Sequence, residues 1–192
     1  MAPLSTAIPT AIPRIGVGID TSRYGHYAAF LRDDWQPAAA ELSFVESAVG
    51  YAQLRQRLEQ IVQHHSPVHF IIRLDAAGQY ADNLLHFLHS LADASSSAPL
   101  AGCSGAEVTC SISCGDPQRN KNYRAAVFGS KKSDPYEARA AARYAVSEQP
   151  APAKVMSLPL RTLRLVAGRL RVVVPAVTAG VFIEEEGRFL AG

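Results

Sequence analysis

A chain of 192 residues, 48% hydrophobic and 19% charged, is long enough to bury one sizeable core and a small appendage. Its formal net charge of +2 is too small to indicate a nucleic-acid partner by itself, so an electrostatic argument depends on where the charges lie. No stretch approaches the roughly 20 apolar residues that cross a bilayer, which excludes a membrane-spanning helix and favours a cytoplasmic protein. Residues 1–13 are rich in proline and lack the pattern of a signal peptide, and we predict that they form a disordered leader.

The globular region is predicted to begin with a meander of β-strands, because short polar connections of the kind found in antiparallel hairpins separate its apolar runs. The first strands are predicted at 14–19, 27–31 and 41–45. After Gly50, apolar residues recur at helical spacing and predict an amphipathic helix that ends near His64. A fourth strand at 68–74 ends at Asp75, and a second amphipathic helix is predicted over 80–91.

The remainder of the chain is predicted to contain a loop insertion, a fifth strand and two helices. Residues 92–106 have the Ser- and Gly-rich composition of a loop, the strand follows at 108–112, and an alanine-rich helix spans 134–146. These elements define one domain over 14–150. Residues 151–192 are predicted to form a linker and part of a further helix, whose apolar stripe is Leu160, Leu163, Ala167 and Leu170.

The cysteines and histidines do not show the spacing of metal ligands. An odd, clustered set of cysteines with no further Cys or His nearby favours reduced thiols over a disulfide framework or a zinc site. These cysteines are Cys103, Cys110 and Cys114. The histidines at 64, 65, 69, 86 and 89 are interpreted as surface or hydrogen-bonded side chains.

Four acidic residues lie where predicted strands end or a predicted helix begins. Asp20 follows the first strand and Asp75 the fourth, and Asp134 and Glu137 are spaced to project from one face of the last helix. Carboxylates that converge from different elements can hold the divalent cations of phosphodiester chemistry. The alternatives are structural: Asp20 as a turn residue or a cap for a following helical segment, Asp134 as a helix N-cap and Glu137 as its capping-box partner.

Basic residues are concentrated shortly before the last helix. A run of this kind can follow a phosphate backbone, with Tyr123 and Phe128 available for stacking or for core packing. The alternative is an ordinary solvated surface. The candidate nucleic-acid ligands are Arg119, Lys121, Arg124, Lys131 and Lys132.

The order of the elements, with acids at the ends of the first and fourth strands, resembles the RNase H-like fold: an α/β domain with a mixed five-stranded sheet flanked by helices. Three segments also resemble the acidic blocks of the DEDD insertion-sequence transposases, whose recombination is guided by a bridge RNA. They are 18–22 (GIDTS), 75–80 (DAAGQY) and 132–138 (KSDPYEA). Residues 116–128 are similar to the Asn-Pro block of that family and its following basic run.

This resemblance implies a Holliday-junction-resolvase-like domain in which Asp20, Asp75, Asp134 and Glu137 bind Mg²⁺ or Mn²⁺. It also implies DNA and a structured guide RNA as partners, and a homo-oligomer in the complete family. Two acids depart from the family pattern, since Asp75 replaces the usual Glu and Glu137 the usual Asp. The family's second domain supplies a serine that attacks DNA. We expect this chain to be truncated before that domain and to be unable to transpose alone.

Two other interpretations of the sequence remain open. One is a remnant that keeps the fold and a nucleic-acid-binding surface but catalyses nothing. The other is an actin-like sugar kinase or ATPase, because residues 16–20 (GVGID) also suit the first strand of that related fold. That interpretation requires a glycine-rich phosphate loop after the first strand, and residues 22–25 (SRYG) fit one poorly.

Overall fold

The computed structural model describes residues 12–75, 80–93, 100, 108–154 and, at intervals, 159–160, 162–163, 166–167 and 170. The chain divides into two compact units, Met1–Ala153 and Lys154–Gly192. Most of the predicted leader, most of the predicted loop insertion, Cys103 and the segment after residue 170 lie outside the described residues. Within the part of the chain that is described, no helix is both long enough and apolar enough to span a membrane.

The first unit is an α/β structure, as predicted. The five predicted strands and three predicted helices of the domain are present, each at or within three residues of its predicted bounds. In chain order the elements are β1 (Arg14–Thr21), β2 (Gly25–Arg32), β3 (Leu42–Val45), α1 (Ala48–His65), β4 (Val68–Asp75), α2 (Tyr80–Ala92), β5 (Val108–Gly115), α3 (Pro117–Phe128) and α4 (Asp134–Glu148).

One helix, α3, is absent from the sequence prediction. Its N-cap is Asp116, whose side chain accepts a hydrogen bond of 2.9 Å from the backbone N–H of Arg119, and Pro117 follows in the first turn. An acidic N-cap followed by proline is a recognised helix-start signal. The basic run is therefore helical as far as Phe128.

The strands form one mixed sheet in the order β3-β2-β1-β4-β5. β2 is antiparallel to both of its neighbours, whereas β4 is parallel to both β1 and β5. The carboxyl ends of β1, β4 and β5 therefore lie at the same edge of the sheet. Because Ile19 of β1 is in register with Leu74 of β4, the next residues of the two strands, Asp20 and Asp75, are neighbours at that edge.

One face of the sheet carries the main hydrophobic core. Alternate strand residues point to this face, and they pack with the apolar residues of α1 and α2 in a single buried cluster. Its largest fully buried side chains are Ile15, Val17, Ile19, Phe30, Leu54, Leu58, Ile61, Phe70, Ile72, Leu74, Leu84 and Leu88. This core holds β1 and β4 side by side, and so fixes the separation of Asp20 and Asp75.

The opposite face of the sheet is covered by α4, which packs closely because the residues in contact are small. A Cβ atom added to Gly18 would overlap the backbone of Ala138 and Ala142, and one added to Gly16 would overlap Ala142 and Val146. Small residues permit backbone to approach backbone in this way. The paired contacts also show that α4 runs antiparallel to β1, so the start of α4 lies over the carboxyl end of the strand.

Candidate functional site

The two strand-end aspartates occupy one edge of the sheet. Gly16, Gly18 and Asp20 alternate along β1 and therefore face α4. At the end of β1, Thr21 Oγ1 donates a hydrogen bond of 2.9 Å to the backbone carbonyl of Asp75 on the adjacent strand β4 and ties the two strand ends together. Asp20 is thus a residue of β1 itself rather than of a turn, and its side chain is held on the helix-covered face.

The first turn of α4 brings the other two acids to the same edge. Since Gly18 contacts Ala138, the preceding turn of α4, with Asp134 and Glu137, lies next to Asp20. The N-cap of α4 is Ser133, whose side chain makes no capping hydrogen bond. The alternative in which Asp134 caps the helix is therefore wrong, and the exposed Asp134 carboxylate is not used for capping.

The electrostatics of Asp20 show that the four acids lie within range of one another's charges. Burial raises the pKa of the Asp20 carboxyl to about 7, and the negative charges of Asp134, Asp75 and Glu137 add to this increase. Burial also raises the pKa of Glu137, with further increases from Asp75 and Asp134 and opposing decreases from Arg124 and Lys132. Such mutual repulsion is relieved by a bound cation.

Hard oxygen donors of this kind fit Mg²⁺ or Mn²⁺, which prefer carboxylate ligands. Among the described residues, however, no group of three or more Asp, Glu, His or Cys side chains is arranged to hold a metal ion together. Two of the four acids have other partners in this structure. Glu137 lies beside Arg124, and Asp75 accepts a hydrogen bond from Asn120.

Arg124 is the cationic partner of Glu137 in this structure. Its Nε atom lies 2.7 Å from Glu137 Oε1, outside hydrogen-bonding geometry, and the guanidinium also donates to the backbone carbonyl of Lys131. The side chain of Arg124 is only 7% exposed. The expectation that Arg124 contacts phosphates therefore requires correction, because its guanidinium is buried against an acid of the site.

Asp75 is connected to a buried polar network that sequence reasoning missed. Asn120 Nδ2 donates to Asp75 Oδ1 at 3.3 Å, and Asn120 Oδ1 accepts from Arg73 Nε at 3.0 Å and from Arg73 Nη2 at 2.8 Å. The Arg73 guanidinium lies over the ring of Tyr144 in α4, 4.0 Å from its centroid. This network joins β4, α3 and α4 directly behind the site.

Asn120→Ala is expected to lower the free energy of unfolding by about 2 kcal/mol, because it leaves two N–H groups of the buried Arg73 without their acceptor. Asn122→Ala, on the exposed side of the same helix, is a matched control and should change stability by less than about 0.5 kcal/mol. Urea denaturation of both variants measures the difference. Equal effects would contradict a structural role for the network.

The remaining basic candidates are exposed. Arg119 and Lys121 lie on α3, and Lys131 and Lys132 lie in the connection to α4, immediately before Asp134. Tyr123 makes an edge contact with Tyr144, with ring centroids 4.9 Å apart, so core packing accounts for its ring. Phe128 similarly packs against Tyr136 at 5.4 Å.

The two described cysteines are free thiols. Burial raises the pKa of Cys110 to about 12 and also raises that of Cys114. Both therefore remain protonated near neutral pH, which agrees with their interpretation as reduced structural residues.

The residues and contacts of the chain define the arrangement of the four acids without the help of a related protein. The sequence of the chain matches no protein-family model and no curated protein.

Proposed function

We propose that residues 14–150 form an RNase H-like, Holliday-junction-resolvase-like domain that binds Mg²⁺ or Mn²⁺ and cleaves or transfers DNA strands. The order of elements supports this proposal, as does the pairing of a first-strand Asp with a carboxylate at the end of the fourth strand. The three acidic blocks described above favour a DEDD insertion-sequence transposase, with a structured guide RNA as a further partner.

The observation that carries the proposal is the environment of Asp20. Its carboxylate lies at the carboxyl edge of the sheet, half-buried, and three further carboxylates from β4 and α4 act on its charge. A cluster of this kind is costly without a counterion. It is not explained by packing or by helix capping.

The chain's own residues have distinct roles in this proposal. Asp20, Asp75 and Asp134 would hold the metal once their side chains draw together, and Glu137 would join them on leaving Arg124. Bound divalent cations would activate the attacking oxygen and stabilise charge on the leaving oxygen of the phosphodiester. Lys131 and Lys132 are exposed beside the acids, where they can contact the phosphates of the strand.

A second candidate, a nucleic-acid-binding remnant without catalysis, is favoured by one observation. Arg124 already supplies a positive charge to Glu137, and among the described residues no three acids converge tightly enough to ligate one ion. In that case the guanidinium replaces the metal permanently. Metal affinity distinguishes the two candidates.

Calorimetric titration of Mn²⁺ and Mg²⁺ into the full chain at pH 8 tests the proposal. At this pH the Asp20 carboxyl, with its pKa of about 7, is mostly ionised. We expect saturable binding that weakens at least about tenfold in Asp20→Asn and in Asp134→Asn, because each removes a charged ligand. At pH 6 binding should be weaker and should release more protons.

Asp33→Asn is the matched control, since Asp33 pairs with Arg14 at the opposite edge of the sheet. Its metal affinity should equal that of the parent chain. An absence of binding by the parent at pH 8, or equal losses in Asp33→Asn and Asp20→Asn, contradicts the metal site.

A further inference from the structure

The tight turn after β2 holds a tryptophan in an unfavourable backbone conformation. Trp35 has φ of 63°, its N–H donates to the carbonyl of Arg32 at 2.9 Å, and the N–H of Arg32 donates to the carbonyl of Gln36 at 2.9 Å. In a three-residue hairpin turn of this form, the left-handed position usually holds glycine. A bulky residue there is strained, and such strain is characteristic of binding sites.

The indole of Trp35 is exposed rather than buried, so packing alone does not explain it. The residue is 49% exposed. The guanidinium carbon of Arg143, in α4, lies 3.7 Å from the centroid of the Trp35 ring. The guanidinium is stacked over one part of the indole, and the rest of the half-exposed ring faces solvent.

The alternation of aromatic and basic groups continues along the same face of α4. Tyr136, Arg139 and Arg143 are spaced at three and four residues and project in one direction. The Tyr136 ring has Arg139 5.5 Å and Lys131 5.4 Å from its centroid. We call the surface formed by these residues and Trp35 the aromatic-basic face. It begins next to Glu137 and extends about 10 Å along the helix.

Among the described residues, the aromatic-basic face keeps unpaired cations, because the acids of the turn and Glu41 are already paired with arginines. In the turn, Asp33 is paired with Arg14 and Asp34 with Arg32. On the helix, Arg139 is paired with Glu41. Arg143 and Lys131 form no ion pair with any residue that the structure describes, so their charges remain available to an anionic partner.

We infer that the aromatic-basic face binds an unpaired stretch of a nucleic-acid strand, with bases stacked on Trp35 and Tyr136 and phosphates held by Arg143 and Lys131. Aromatic rings interleaved with cations bind single strands independently of sequence, since every base offers a flat face. This inference rests on the proposed function for one point, that the strand leads to the acid cluster. A purely structural turn would be more stable with glycine at position 35.

Trp35 is the single tryptophan of the chain, so its fluorescence reports on this face alone. Titration of the full chain with a 12-residue oligothymidine, in EDTA and at low salt, should quench the emission. Raising the salt should reverse the quenching, because phosphate contacts depend on salt. An unchanged emission overturns the inference. Equal quenching by a duplex of the same length overturns the preference for an unpaired strand.

Trp35→Gly separates binding from folding. Because glycine adopts the positive φ without strain, the variant should unfold at the same or a higher urea concentration than the parent. Its affinity for a labelled oligothymidine, measured by fluorescence anisotropy, should nevertheless fall about 5-fold to 150-fold. Trp35→Phe should recover part of the loss. Unchanged affinity in Trp35→Gly overturns the inference.

Arg143→Ala should also weaken strand binding, and Arg55→Ala is its matched control. Arg55 lies on α1, on the other face of the sheet, and its ion pair with Glu59 makes its loss structurally mild. Equal losses in both variants would indicate a nonspecific charge effect and overturn the inference. EDTA removes divalent cations, so strand binding is measured independently of metal binding. If the chain binds the strand but binds no metal in the calorimetric titration, the proposed function is contradicted and this inference stands.

Discussion

Gly18→Ala is expected to lower the free energy of unfolding by about 3 kcal/mol or more, which is a large fraction of the stability of an ordinary domain. The new Cβ would meet the backbone of Ala138 and Ala142, and backbone atoms cannot move aside as a flexible side chain does. The helix α4 must therefore shift away from β1. Urea denaturation measures the loss, and metal binding should disappear together with it because Asp134 and Glu137 move with the helix.

Gly129→Ala is the matched control for that experiment. An added Cβ at Gly129 has no neighbour within 4 Å, but the residue has φ of 66°, so alanine there suffers backbone strain without any overlap. We expect a loss of about 2 kcal/mol, because ψ of −137° places the residue in a region that essentially only glycine adopts. A loss in Gly18→Ala no larger than this would contradict the close contact between α4 and the sheet.

Asp20→Asn is expected to stabilise the metal-free protein at pH 8 by about 2 kcal/mol, allowing for partial solvent screening of the carboxylate. The folded state raises the pKa of Asp20 from 3.8 to about 7, so the folded protein holds this proton more tightly than the unfolded chain. Ionisation of Asp20 therefore opposes folding. Asparagine has a similar shape and carries no charge.

The pH dependence of the same variant has a definite sign. Below about pH 4 the carboxyl is protonated in both folded and unfolded chains, and the parent incurs no penalty from it. The stability of the parent should fall relative to Asp20→Asn as the pH rises from about 4 to about 7, and the difference should then stay constant. Urea unfolding in EDTA at several pH values measures it. A difference that is independent of pH, or that favours the parent at pH 8, would contradict the burial of Asp20 among the other acids.

The strands and the helices α1, α2 and α4 were predictable because each follows from local periodicity. The apolar alternation of β1 and the helical spacing of Leu54 and Leu58 each show that one face of the element is buried. Such patterns arise whatever the element packs against. Strand ends were less well defined, and β5 continues to Gly115, three residues beyond its prediction. Gly115, at its end, lies against the side chain of Asn120 in α3, a helix that the sequence did not predict.

The partners within the site were not predictable from local sequence, because they depend on tertiary contacts. Arg124 belongs to a basic run, yet the packing of α3 against α4 turns it inward to Glu137. Asn120 had no distinguishing pattern, although Asp116 and Pro117 could have indicated the helix that carries it. The contact between Trp35 and Arg143 joins residues 108 positions apart in the chain.

The glycine and alanine contact between β1 and α4 limits how the acid cluster can vary. Since main-chain atoms of the helix rest directly on the strand at Gly18, the helix cannot slide or tilt to compensate for a carboxylate that is too short or too long. Only the length of each acidic side chain, set by its number of methylene groups, can then change the distances between the carboxylates. Exchanging Asp75 for Glu, or Glu137 for Asp, would therefore change the reach of one carboxylate with no compensating shift of the helix.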